Sequence, residues 1–133
     1  MAAIDGWDSL AYALLAQRIA SGGCVRLTIT TASMAPLLLP GDRVLLAMVP
    51  VAALGVGDLV ALAAQPCPVI HRIVAAPRRR GKRSFVTKGD AGTTYDRQFP
   101  LQAAWGRVLS VQRSDKVLTL TTHMAYYGAR ILA

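Results

Sequence analysis

Glutamate is absent from this chain, and the only acids are seven aspartates, set against fifteen lysines and arginines for a net charge of +8. The acids are scattered among turn-forming residues, which excludes a clustered carboxylate metal site, and no glycine-rich phosphate loop or other cofactor motif is present. There are two cysteines, Cys24 and Cys67. They match no metal spacing and make no disulfide framework, so they read as small buried apolar residues, with a bridge only if the fold brings them together. Aromatics make up 6% of the residues. That scarcity, with no recognition helix, argues against nucleic acid as the partner of the positive charge. A transmembrane helix needs ~20 consecutive apolar residues, and none is present. The best stretch, 10–20, is broken by Gln17 and Arg18, and Asp5 and Asp8 stand where a secretory signal carries basic residues. The expectation is a soluble, cytoplasmic protein without a transmembrane segment, with peripheral membrane association as the alternative.

What is plentiful is apolar side chain. Hydrophobic residues account for 53% of the 133 positions and charged residues for 17%. This supplies one well-filled core, and one domain, with apolar surface left for a peptide, a partner or a membrane. A first helix is predicted in 1–23, with Asp8 or Ser9 as cap, Leu10, Leu14 and Ile19 on one side and Gly22-Gly23 as terminator. A β core follows over 25–122, with strands at 25–30, 43–48, 59–64, 69–74, 84–87, 104–113 and 117–122, and a tail over 123–133. The separators are rich in Pro, Gly and Asp, which favours a mainly antiparallel β fold over βαβ units. Arg113-Ser114-Asp115-Lys116 reads as a hairpin turn, and Gly41-Asp42 and Gly57-Asp58 read as structural turns.

The chemistry-bearing residues are few. Ser33 precedes Met34-Ala35-Pro36, where Pro36 fixes its own φ and restricts Ala35, so the serine stands beside a rigid turn. A serine hydroxyl needs a base to take its proton. The chain has two histidines, His71 and His123. His71 lies in the β-branched run Val69-Ile70-His71-Arg72-Ile73-Val74, a buried strand by composition. Alternation sends His71 and Arg72 to opposite faces, so they do not share a role through adjacency. Asp90 and Asp96 are the carboxylates further along.

Taken in order, Ser33-Met34-Ala35-Pro36, Gly41-Asp42, Gly57-Asp58-Leu59-Val60, His71-Arg72-Ile73-Val74, Lys88-Gly89-Asp90 and Asp96 resemble the type I signal peptidases and their relatives. The similarity is to the subgroup with histidine as general base, and it spans roughly 25–111. It implies a small antiparallel sheet or partly open barrel, as in signal peptidases and self-cleaving repressors. It also implies a serine endopeptidase with no cofactor, acting on a peptide or leader-bearing precursor through an acyl-enzyme. Ser33 is then the nucleophile and His71 the base, Asp96 orients the histidine and Asp90 supports it. The Ser33 N–H is the oxyanion donor, and Thr31 and Ala32 before it leave any side-chain donor open. Met34, Pro36 and Leu37 are the expected substrate-binding residues, next to an edge that takes the substrate as an added strand. Lys88 stands in the Lys-Gly-Asp block and not at the base's position. A histidine base must be neutral to act, so activity should fall in acid. The alternatives are a peptide-binding module of the same fold with little or no turnover, or a subunit active only with a partner.

One motif stands apart from that site. Arg78-Arg79-Arg80-Gly81-Lys82-Arg83 holds five of the fifteen basic residues, and without it the net charge would be +3. It reads as a hairpin tip, either a solvated loop or a contact for an acidic or anionic partner.

Overall fold

A computed structural model describes residues 13–14, 17–18, 21, 23–62, 69–96, 99–100 and 104–120. The first helix falls mostly outside the described residues, as do Cys67, His123 and the tail. Among the described residues there are nine strands: β1 (Cys24–Thr28), β2 (Arg43–Ala47), β3 (Leu59–Leu62), β4 (Val69–Ala75), β5 (Arg78–Arg79), β6 (Lys82–Lys88), β7 (Phe99–Pro100), β8 (Ala104–Arg113) and β9 (Lys116–Thr119). A single 3-10 turn, Val51–Ala53, lies between β2 and β3. Every pairing is antiparallel. The order is β1-β2-β8-β3-β4-β6-β5, with β7 on β6 and β9 on β8, and no pairing closes β1 onto β5. The fold is therefore a mainly β, open antiparallel sheet, as its alternating apolar segments and turn-rich separators predict.

The ten-residue β8 joins the two halves. Its 107–112 portion pairs with β2 and its 104–107 portion with β3. Register shifts between Leu45 and Leu46 and between Ala61 and Leu62 bend the sheet where β8 passes from one partner to the other. Two apolar clusters result. The larger contains Leu27, Val44, Leu46, Val108 and Val111 together with Met34, Leu37 and Leu38. The smaller is Leu54, Val60, Ile73 and Phe85.

The two Gly-Asp pairs form the same device. Asp42 N–H donates to Leu39 C=O at 3.0 Å while Leu39 N–H donates to Asp42 Oδ2 at 2.8 Å. Asp58 repeats this with Gly55, at 3.1 and 2.9 Å. Each turn needs a residue with positive φ at its third position, which Gly41 (96°) and Gly57 (101°) provide. The turns launch β2 and β3. The β5–β6 hairpin closes through Arg80 and Gly81, both at positive φ, a type I′ geometry that matches strand twist. Cys24 is exposed and its thiol is free, so it is not the buried apolar residue expected, because it starts the edge strand β1. Among the described residues no helix is long and apolar enough to cross a membrane.

Candidate active site

Ser33 opens a tight turn between β1 and β2. Ala35 N–H donates to Ala32 C=O at 3.0 Å, and Leu38 N–H to Met34 C=O at 2.9 Å. The Ala35–Pro36 peptide is cis. Met34 is 2% exposed, and Leu37 and Leu38 are fully buried. Each of these side chains contributes about 2 kcal/mol by leaving water, which pins the turn to the core and leaves Ser33 half-buried at the surface. The expectation that Met34 and Leu37 bind substrate is thereby corrected, since both face the core. Pro36 is half-buried and does remain within reach of solvent.

The loop after β6 clips onto this turn. Ala91 N–H donates to Ser33 C=O at 3.0 Å, and Asp90 N–H points at Met34 Sδ at 3.4 Å. Lys88 Nζ donates to the carbonyls of Gly89 and Gly92, at 2.9 and 2.7 Å, and so ties the loop together. Gly89 makes the close approach possible. A Cβ there would stand 2.7 Å from the Ser33 carbonyl oxygen and 3.1 Å from His71 Nε2.

His71 lies in β4, opposite Val60 of β3, and is buried. Its Nδ1 meets Asp96 Oδ2 at 2.5 Å. Asp96 is held in turn by β6. Thr87 Oγ1 donates to the same Oδ2 at 2.7 Å, and Asp96 N–H donates to Thr87 C=O at 2.8 Å. A carboxylate on Nδ1 keeps the ring proton on that nitrogen and leaves the Nε2 lone pair free. Nε2 is buried and has no hydrogen-bond partner among the described residues. A cleft of about 540 Å³ is lined by Ser33, His71, Gly89, residues 91–94 and Asp96. Three expected residues, from three separate segments, thus line one cleft.

Asp90 takes a different place. It receives Arg72 Nε at 2.8 Å and Arg72 Nη2 at 2.7 Å, while Arg72 Nη1 donates to Gly57 C=O at 3.1 Å. His71 and Arg72 point to opposite faces of β4, so one strand carries both the His71–Asp96 pair and a buried structural ion pair. Asp90 therefore reaches the site through the loop backbone and not through His71.

Three further residues shape the site: Thr31, left open from sequence as a donor, Gly89, read only as part of the Lys-Gly-Asp block, and Thr87, which sequence reasoning missed. The Thr31 hydroxyl lies 3.5 Å from Ser33 Oγ, Thr87 fixes Asp96, and Gly89 leaves room for Ser33 and His71 to approach. Alternation along β6 puts Phe85 and Thr87 on one face, a signal that could have found Thr87. A larger hollow of about 660 Å³ lies along the β8–β9 hairpin, beside Val111, Arg113 and Val117. It contains no histidine or cysteine. Among the described residues no group of three His, Cys or Asp side chains could hold a metal ion. In comparison with known proteins, no protein-family model matches this chain and no curated protein matches it.

Proposed function

We propose that the chain is a serine endopeptidase of the signal-peptidase-like type that acts in the cytoplasm on a peptide or leader-bearing precursor. The observation that carries this reading is that Ser33, His71 and Asp96 line one cleft, with Asp96 on His71 Nδ1 and with Nε2 buried and without a hydrogen-bond partner among the described residues. Ser33 Oγ attacks the scissile carbonyl as its proton passes to Nε2. The imidazolium, steadied by Asp96, returns that proton to the leaving amine, and an acyl-serine remains. Water then attacks the ester, with His71 again accepting a proton, and releases the acid and free Ser33. The developing oxyanion takes hydrogen bonds from the Ser33 N–H and from the Thr31 hydroxyl, and losing such a donor costs ~2.7–4 kcal/mol of transition-state stabilisation. The substrate lies extended along the open edge beside the turn.

The test is incubation of wild type, Ser33→Ala and His71→Ala with a diverse peptide pool that includes leader peptides, reading new termini by mass spectrometry. Cleavage by wild type alone is expected. Cleavage that persists in both variants removes the reading. That Nε2 has no hydrogen-bond partner among the described residues, Ser33 included, also favours a second reading, a peptide-binding module with little turnover. Such a module would retain peptide in pull-downs after Ser33→Ala and yield no new termini in any form.

A further inference from the structure

We propose that the face formed by the 48–56 loop and the 78–83 hairpin docks on an anionic phospholipid bilayer. Residues 45–56 carry no polar or charged side chain. Yet Met48 is 43% and Val56 46% exposed, and Pro50, Ala52 and Ala53 are also exposed. Water gains nothing from such a surface, and an interface with hydrocarbon below it does. Beside this loop stands the hairpin, whose Arg78, Arg79, Arg80 and Lys82 are exposed and have no ion pair among the described residues.

The two segments form one surface. Arg83 Nη2 donates to Leu54 C=O at 2.8 Å, its guanidinium lies 5.1 Å from the centre of the Phe85 ring, and Leu54 and Phe85 share a core cluster. An apolar loop rimmed by unpaired cations matches both layers of a bilayer surface, acyl chains below and phosphate groups above. An acidic peptide would answer the charges and leave the loop unexplained. Nucleic acid would want a stacking platform, and neither segment contains an aromatic residue. The hairpin tip and the cleft lie at opposite ends of β6, about 20 Å apart at ~3.3 Å per residue. A docked molecule keeps its cleft in water, and the proposal stands or falls independently of the peptidase reading.

The experiment is flotation of the full chain with vesicles of phosphatidylcholine alone and of equal parts phosphatidylcholine and phosphatidylglycerol, at low and high salt. Binding to the anionic vesicles only, weakened by salt, is the expected result. The triple variant Arg79→Ser/Arg80→Asn/Lys82→Ser should lose ~100-fold in affinity, since each interfacial cation contributes ~5-fold. Met48→Ser/Val56→Ser should lose about 10-fold. Thermal melts matching wild type show that both variants are folded. Equal binding to neutral vesicles, no binding to either, or full binding by either folded variant would overturn the proposal. So would capture by polyglutamate or single-stranded DNA under conditions where anionic vesicles fail.

Discussion

At the scale of single residues, the decisive feature is how little room the cleft leaves. Gly89→Ala puts a methyl group 2.7 Å from the Ser33 carbonyl oxygen and 3.1 Å from His71 Nε2, so Ser33 and His71 must separate. Peptidase kcat should fall at least a hundred-fold, because misplacement of ~1 Å costs that much, while a thermal melt shifts by only a few degrees. Asp96→Asn exchanges the acceptor on Nδ1 for an amide and disturbs the ring's tautomer. A kcat loss of about ten-thousand-fold is expected, read as initial rates on the best peptide of the pool. That Ser33, His71 and Asp96 come together in one cleft was suggested by their order along the chain; their roles rest on the proposal. Met34 and Leu37 were misread for a physical reason: an apolar residue beside a nucleophile can fill a core as well as line a groove, and only the path of the turn decides. Thr31 was left open as a donor because only the reversing backbone brings its hydroxyl onto the side of Ser33.

At the scale of elements, β4 carries two side-chain pairs on opposite faces, His71–Asp96 and Arg72–Asp90, and these can be told apart. Asp90→Ala leaves the Arg72 guanidinium buried with its bidentate partner gone, which should cost about 3 kcal/mol in denaturant unfolding. Initial rates on the best peptide should stay near wild type in folded Asp90→Ala, because Asp90 pairs with Arg72 and does not touch His71; Asp96→Ala should lose them. The seven strands expected from alternation recur within about two residues wherever they are described, and Arg113-Ser114-Asp115-Lys116 and the arginine-rich run form hairpins as read. The additions are β5 and β7, two residues each. Segments that short have no periodicity to recognise, and they become strands only because β6 offers them a partner.

At the scale of the whole molecule, the end of β8 grips the turn that follows Ser33. Arg113 donates to both Asp42 carboxylate oxygens, at 2.8 and 2.7 Å, and to Leu37 C=O at 3.1 Å. Burial alone would push the Asp42 carboxyl up, but the Arg113 hydrogen bonds, the Leu39 N–H and the Arg113 charge outweigh it and hold the group below its ordinary 3.8. Stability from Asp42 is therefore complete above about pH 4 and is lost as the pH falls through the lower value it has in the fold. Asp42→Ala should cost about 2 kcal/mol near neutrality, discounted for the partly exposed Arg113, and should flatten the acid part of a plot of melting temperature against pH. The strand order was not legible, because local alternation says nothing about which distant strand is a neighbour. Pairing of 43–47 with 107–112 is a contact across about half the chain, and it bears on the order of assembly. Ser33, His71 and Asp96 all leave the ribosome before β8 does, yet among the described strands β8 alone joins the serine's half of the sheet to the histidine's. The two halves of the sheet that carry these residues are therefore joined by strand pairing only after all three have been synthesised.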